Sequence, residues 1–589
     1  MCGIVAGCGT ESVISDTLKG LKAVEYRGYD SAGYSIIHEG ALHTQKAVGT
    51  VNHLIDQQHY FSNTAISHTR WATHGDPSIR NAHPHMSHNR VSIVHNGIIE
   101  NYQSLKTFLA DHDYTCVSDS DSEVIAHLLH FYYQTTHCAL ESLKRTSNQL
   151  IGSFAIIALF KDIPDTLYAT CQKSPLILGQ SHTAHWLASD AIALAHVADQ
   201  CWAIPDQHYM VLTPKDHILL PFKSVNPSQL SLIESIEAQA QNKGDFDHFM
   251  LKEIHEQPSN WTQIIETYFN TSTHHALFPQ KPKNIHMVAC GSSHHAALTA
   301  QYWLESIAQI PSTAYIASEY RDRTIQVPKD CLLILISQSG ETADTLSALR
   351  KAKHLGYSNT LSLCNVAHST LSQSTDHSLP LLCGPEIGVA STKAFTAQLW
   401  IFLALTVYWA KSSDIDPLDT IQAAEAVLAL KPNIQAISKK LASFNNIFFI
   451  GKHLGYPIAE EAALKLKEIS YIHPQAYASG ELKHGPLALI DDQLPVCAAI
   501  TPHLSLEKQI THLEEIAARK GILVIFYQGQ PLIDSTFSEA LKLSLPQTAH
   551  ATTPMIFTLA YQLLAYYVAV ERSCEIDQPR NLAKSVTVE

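Results

Sequence analysis

Over residues 1–225 the apolar positions fall mostly into short runs bounded by turn residues. Ile4-Val5-Ala6, Ile66-Ser67-His68, Val91-Ser92-Ile93-Val94, Gly152 to Phe160, Leu167-Tyr168-Ala169 and Trp186-Leu187-Ala188 read as strands. Ser15 to Glu25 and Glu123 to Leu143 instead carry apolar residues at helical spacing. Strands, then helices, then further strands predict an α+β layered domain, not a βαβ repeat. Pro221 to Gly244 is polar, contains Pro221, Pro227 and Gly244, and predicts a linker.

Beyond Asp245 the texture changes, and apolar strands alternate with long helical patterns as in doubly wound α/β domains. The pattern also repeats. Asn284-Ile285-His286-Met287-Val288-Ala289-Cys290-Gly291 matches Asn446-Ile447-Phe448-Phe449-Ile450-Gly451 at an offset of 162 residues. Leu361-Ser362-Leu363-Cys364 matches Leu523-Val524-Ile525-Phe526 at the same offset. Two copies of one parallel-sheet unit are expected, with a seam between 412 and 444 near Pro432. The division that follows is residues 1–225, a linker at 226–250, α/β units at 251–425 and 426–578, and a short polar tail at 579–589.

A chain of 589 residues has room for about three to four domains, each burying its own core. With 46% hydrophobic and 16% charged residues it is a folded globular protein, not a disordered one. A formal charge of −14 argues against nucleic acid as a partner, while local donors and helix N-termini could still hold small anions. Twelve scattered cysteines with no C-x-x-C pair argue against zinc and against a disulfide framework, and fit a reduced, cytoplasmic setting. The N-terminus lacks a basic region and cleavage site. The most apolar run, Leu399 to Ala410, is shorter than the about 18 residues of a membrane span, so no membrane partner is expected and a buried helix accounts for it.

Candidate chemistry begins at Met1-Cys2-Gly3. Cys2 is small enough to permit removal of Met1, which would join a sulfur nucleophile to an α-amino base of pKa about 7.7–8.0. Taken alone, Cys2 could equally be a small buried residue before a strand. Three clusters could complete a site. Arg70-Trp71-Ala72-Thr73-His74-Gly75 follows a strand, and its arginine could grip a carboxylate with a bidentate fork or merely form a surface salt bridge. His95-Asn96-Gly97 offers an amide and a glycine N–H to an oxyanion, or a plain Asn-Gly turn. Ser118-Asp119-Ser120-Asp121-Ser122-Glu123 would cap the next helix whether or not Asp121 also holds an ammonium. His83, His85 and His88 lack a cysteine or carboxylate to complete a metal set, and no metal or cofactor is expected.

Together, Met1-Cys2-Gly3-Ile4-Val5, Tyr26-Arg27-Gly28-Tyr29-Asp30-Ser31-Ala32-Gly33, Arg70 to Gly75 and His95-Asn96-Gly97 resemble the class II glutamine amidotransferases. The resemblance implies an N-terminal-nucleophile fold, two antiparallel sheets between helical layers (an αββα sandwich). It implies that Cys2 attacks the glutamine amide with its α-amino group as proton shuttle, and that Asn96 and Gly97 stabilise the oxyanion. Arg70 and Asp121 would hold the α-carboxylate and α-ammonium of L-glutamine, Thr73, His74 and His83 would line the pocket, and Trp71 would gate an ammonia passage.

In the second half, the apolar strand Cys331 to Ile336 runs into Ser337-Gln338-Ser339-Gly340-Glu341-Thr342 and then a helix. Hydroxyls, a glycine turn and a helix N-terminus suit a phosphate, or simply a capped turn. Cys290-Gly291-Ser292-Ser293 and Ser391-Thr392 repeat the arrangement, which shifts the reading toward a sugar phosphate. Glu461, Lys465 and Glu468 share one helix face and are partly boxed in by Leu464, Leu466 and Ile469. His484 lies in the loop Ala478 to Pro486, where an imidazole titrates near neutrality, and Lys584 lies in the polar tail.

Ile336 to Thr345, Gly388 to Thr396, Leu464 to His473, Glu481 to Leu489 and the last eleven residues resemble the glutamine–fructose-6-phosphate aminotransferase family. The resemblance implies two doubly wound α/β sugar-isomerase domains and a homodimer acting on L-glutamine and fructose 6-phosphate. Ser293, Ser337, Gln338, Ser339, Thr342 and Ser391 would hold the sugar phosphate. His484 would open the ring across a dimer interface, Lys584 would form an imine with the ketone, and Glu468 would move the proton between C1 and C2, supported by Glu461 and Lys465. Two rivals make further demands. Another class II amidotransferase would need a pyrophosphate loop or an ATP-binding Ser-Gly-Gly, and a non-catalytic sugar-phosphate sensor would need a helix-turn-helix and a basic face.

Overall fold

The computed structural model describes residues 2–56, 58–72, 74–222, 230–233, 242–269, 278–412, 417–502, 506–529 and 531–587. The chain divides into two compact units, residues 1–241 with 583–589, and residues 242–582.

In the first unit the strand Gly3–Gly9 lies inside an eight-stranded sheet, paired with Ala184–Ala188 on one side and Thr64–Arg70 on the other. A six-stranded sheet contains Val91–Ile99 beside Gly152–Phe160, and the strand pairings in both sheets are antiparallel. Side-chain alternation sorts the layers. Ile4, Ala6 and Cys8 pack with Val94, Ala155, Ile157 and Leu159 between the two sheets. Val5 faces the other way, onto Leu18 and Leu21 of the helix Ile14–Ala23. On the far side Ile93, Ile156 and Ala158 pack on Val124, Ile125 and Leu128 of the helix Glu123–Thr136. The result is the expected αββα sandwich, and Ile4-Val5-Ala6 is continuously apolar because both of its faces are covered.

Two local expectations change. The single helix expected over Glu123 to Leu143 is two, Glu123–Thr136 and Ala139–Gln149. The break is at His137, whose left-handed backbone (φ +48) ends the first helix, while the extended Cys138 opens the second. Apolar spacing continues through the break, so periodicity could not locate it. Within the stretch expected to be a linker, Ser231–Ile233 is a strand paired with Gln200–Ala203.

The second unit holds two five-stranded parallel sheets of identical order. The first runs Ser312–Ile316, Asn284–Ala289, Cys331–Ser337, Asn359–Cys364, His377–Pro380. The second runs His473–Ala478, Asn446–Gly451, Pro495–Ile500, Ile522–Gln528, Leu541–Leu545. The 162-residue repeat is thus a repeat of whole sheets. Leu332, Ile334 and Ile336 join a core shared by both sheets, while Leu333 and Leu335 pack outward. Two apolar helices, Lys393–Ala410 and Thr553–Glu571, fill that shared core. Among the described residues one helix, His550–Glu571, is long and apolar enough to cross a membrane, and 94% of its most apolar window is buried in the protein.

Candidate active site

In the first unit the front of Gly3–Gly9 is fixed by its backbone. Gly3 N–H donates to Thr69 Oγ1 at 3.1 Å and Ile4 N–H to Ser189 Oγ at 3.0 Å. Cys2, just before the strand, has its Sγ 3.4 Å from the donating Trp71 N–H and 3.7 Å from the Trp71 carbonyl. Asn96 Nδ2 donates to the Cys2 carbonyl at 2.9 Å. Burial pushes the Cys2 thiol pKa up, opposed by the Trp71 N–H and the Arg70 guanidinium and aided by Asp121. Cys2, Trp71, Asn96, Arg70 and Asp121 are therefore neighbours, as the sequence implied.

Asn96 and Gly97 are not a turn. The strand Val91–Ile99 runs through them, with Gly97 opposite Phe154. Gly97 has φ +137, and a Cβ there would meet the Ser153 carbonyl oxygen at 2.0 Å, so this position requires glycine. Arg70 is buried at the end of Thr64–Arg70, and its guanidinium donates to the carbonyls of His74, Gly75 and Asp76. Asp121 is buried and accepts the Ile99 N–H at 2.8 Å. The expected side-chain cap of the following helix is not made, since Ser122 at its start makes no side-chain cap hydrogen bond. Glu123 instead ties down the preceding loop, accepting the N–H groups of Val117 and Ser118 and the Ser118 hydroxyl.

His74 packs edge-on to Tyr102. His83 is buried and stacks on His68 with ring centroids 4.0 Å apart. Neither His83 ring nitrogen has a hydrogen-bond partner among the described residues, and burial holds its pKa well below the usual imidazole value. Thr73 lies outside the described residues. A residue not singled out from sequence is Asp30, which clamps the loop from both sides. Its N–H donates to the Arg70 carbonyl at 2.9 Å, and its Oδ2 accepts the Ala72 N–H at 2.7 Å.

In the second unit Asn284–Ala289 is flanked by the next two strands in sequence, one on each side. The loops following Asn284–Ala289 and Cys331–Ser337 therefore sit at the switch point of the sheet, where doubly wound folds bind ligands. Ser337 Oγ accepts the Gly340 N–H at 3.0 Å and lies 2.9 Å from Thr342 Oγ1. Gly340 has φ +69, and a Cβ would meet Ser369 Oγ at 2.0 Å. The Gln338 carbonyl accepts the Asn365 N–H, and Ser339 Oγ accepts the Glu341 N–H. Ser293, in the first turn of Gly291–Ser306, accepts Gln398 Nε2 at 3.0 Å.

The third hydroxyl turn differs. Ser391 is half-buried, and at Thr392 and Ala394 the N–H groups donate to Glu386 Oε1 at 2.8 and 3.0 Å. An internal carboxylate already occupies that helix N-terminus.

On the helix Gly455–Ser470, Glu461 and Lys465 are buried at 1% exposure each, which turns the partly boxed-in ladder into an interior one. Lys465 Nζ lies 2.6 Å from Glu468 Oε2 and 3.5 Å from Glu461 Oε1. Burial works against the ammonium, but Glu468, Glu461 and Glu386 outweigh it and hold the lysine above its ordinary range. Glu461 also accepts from Ser292 Oγ at 2.9 Å and stands 2.8 Å from His295 Nδ1, partners that no local sequence signal announced. His484 ends the 3-10 turn Ser479–His484 and is exposed. Lys584 is half-buried and belongs to the first unit.

Comparison with known proteins covers the same ground. The glutamine amidotransferase domain family matches residues 68–196, and the SIS domain family matches 280–408 and again 440–572. The glutamine–fructose-6-phosphate aminotransferase [isomerizing] of Legionella pneumophila (strain Lens) is 41% identical, with all of both chains covered. The proteins of that name from Pseudomonas putida and Shewanella oneidensis are 41% and 39% identical, again end to end. The solved C-terminal domain of glucosamine-fructose-6-phosphate aminotransferase from Francisella tularensis is 38% identical, with a TM-score of 0.54, and covers 57% of this chain and 100% of that one. With both halves matched and every residue within the alignments, the chain belongs to the glutamine–fructose-6-phosphate aminotransferase (isomerising) family.

Proposed function

We propose that the protein makes glucosamine 6-phosphate and glutamate from fructose 6-phosphate and L-glutamine, the committed step into amino-sugar synthesis. The observation that carries this is end-to-end identity of about 40% with relatives bearing that name, across both the amidotransferase and the sugar-isomerase halves. Residues 1–225 do the glutamine chemistry; 251–425 and 426–578, with the tail 579–589, do the sugar chemistry.

The residue roles are those that the family resemblance implies. After loss of Met1, the Cys2 thiol attacks the glutamine amide carbon, its own α-amino group takes the thiol proton and passes it to the departing ammonia, and water then releases glutamate from the thioester. Asn96 and the Gly97 N–H donate to the oxyanion. Arg70 and Asp121 hold the two charged ends of the amino acid, beside Thr73, His74 and His83. The hydroxyls of Ser293, Ser337, Ser339 and Thr342, with Gln338, receive the sugar phosphate at the switch point, and Ser391, beside a helix N-terminus that Glu386 already fills, is left out of that set. His484, supplied across a homodimer interface, opens the ring. Lys584 condenses with the ketone with loss of water, ammonia replaces the lysine nitrogen at C2, and Glu468, beside Lys465, carries a proton between C1 and C2. A reduced cytoplasmic setting suits the thiol nucleophile.

The test is direct. Purified protein given glutamine and fructose 6-phosphate forms glucosamine 6-phosphate and glutamate in equal amounts, and mass spectrometry finds an N-terminal cysteine. Cys2→Ala abolishes glutamate formation while conversion of fructose 6-phosphate to its aldose persists. Loss of both activities in that variant would refute the two-site reading.

A further inference from the structure

The helices Gly291–Ser306 and Gly455–Ser470 each follow the first strand of their own sheet, yet their chemistry is not repeated. At the offset of 162 residues Glu461, Lys465 and Glu468 correspond to Thr299, Trp303 and Ser306. The first helix instead contributes His295, whose Nδ1 lies 2.8 Å from Glu461 Oε2. A carboxylate only accepts, so Nδ1 carries the proton and donates it. The other oxygen, Oε1, takes the Ser292 hydroxyl at 2.9 Å and lies 3.5 Å from Lys465 Nζ. That leaves Lys465 leaning to the opposite side, 2.6 Å from Glu468.

A carboxylate as buried as Glu461 needs both oxygens satisfied. Without His295, Oε2 loses its donor, and Lys465 is the cation placed to replace it. Each step of the ammonium toward Glu461 is a step away from Glu468, and for a lysine buried to 1% exposure such displacements change the interaction more than they would in water. We propose that His295 is a positioning residue for the sugar reaction: by satisfying Glu461 it keeps the Lys465 charge on Glu468, which stays ionised and aimed as the proton carrier. This rests on Glu468 having the role given above.

The test uses full-length enzyme carrying His295→Asn, His295→Gln or His295→Ala. An asparagine amide places its N–H near the position of Nδ1, whereas a glutamine amide places it near Nε2. With saturating glutamine, His295→Ala and His295→Gln are expected to lower kcat for glucosamine 6-phosphate at least about ten-fold with little change in KM for fructose 6-phosphate, as a misaimed group would. Glutamine hydrolysis stays at the wild-type rate, and His295→Asn recovers most of kcat. Equal behaviour of the Asn and Gln variants, or wild-type kcat in all three, overturns the proposal. If the alanine variant folds poorly, shown by lost glutamine hydrolysis and a lowered Tm, the Asn–Gln contrast decides. A wild-type enzyme that forms no glucosamine 6-phosphate would overturn instead the functional reading beneath it.

Discussion

At the scale of single residues, Gly97 shows how a strong local signal can mislead about conformation. Asn-Gly announces a two-residue turn, but Asn96 and Gly97 lie inside the strand Val91–Ile99. Glycine is needed there because φ is +137 and the Ser153 carbonyl stands where a Cβ would go. Forcing a side chain into this backbone costs on the order of 1–3 kcal/mol in strain alone. It also displaces the N–H and the neighbouring Asn96 amide. Gly97→Ala is therefore expected to lower the rate of glutamine hydrolysis about 100-fold or more, the usual cost of a lost oxyanion donor, while aldose formation from fructose 6-phosphate survives. Hydrolysis within a few-fold of wild type would mean that the N–H makes no such contact. Cys2 and Arg70 were legible because their motifs are local. His295 and Asp30 were not, since each acts on a partner that only the fold brings near: Glu461 on another helix, Ala72 on another loop.

Elements were legible where burial left a clean pattern. Gly152–Phe160 and the central parallel strands Cys331–Ser337 and Pro495–Ile500 are almost wholly apolar because both faces are covered, and the repeat made the second sheet readable from the first. The helix break at His137 and the strand Ser231–Ile233 left no such trace. A second consequence lies in what these strands bury. His68, His85 and His95 sit on three strands of the first unit, beside His83. Burial lowers the pKa of each, His68 to about 3, and on the helix Glu123–Thr136 it lowers His130 to about 4. The unfolded chain binds these protons near pH 6.5 and the folded one does not. Stability is thus complete above about pH 6.5 and is lost as pH falls toward the folded values, by about 1.4 kcal/mol per pH unit for each imidazole within its window. Glu123, held ionised by His127, Ser118 and two N–H groups against the cost of burial, adds a loss in the same direction below its unfolded pKa. The temperature of half-inactivation of glutamine hydrolysis should drop clearly between pH 7 and pH 5. An unchanged midpoint would mean that these imidazoles are protonated without penalty.

For the whole molecule, the central demand is that nitrogen set free by one chemistry reach another. Ammonia in neutral water is mostly protonated and no longer a nucleophile, so glutamate formation and sugar amination can stay matched only if the molecule is kept from bulk solvent. Trp71 is the residue at which the two requirements separate. Its contacts with the Cys2 sulfur run through the main chain, by the N–H at 3.4 Å and the carbonyl at 3.7 Å, and Asp30 holds the flanking Arg70 and Ala72 by their own backbone groups. None of these bonds uses the indole. Trp71→Ala should therefore leave the rate of glutamate release within about two-fold of wild type, because no interaction made in that transition state is removed. What it removes is a large apolar side chain next to the nucleophile. If that side chain guards the released ammonia, glucosamine 6-phosphate formed per glutamate must fall well below the equal yield of the wild type, and must recover when ammonium is supplied in excess at high pH. A variant that loses both products in step would place Trp71 among the groups that run the hydrolysis, and the matching of the two chemistries would need another cause.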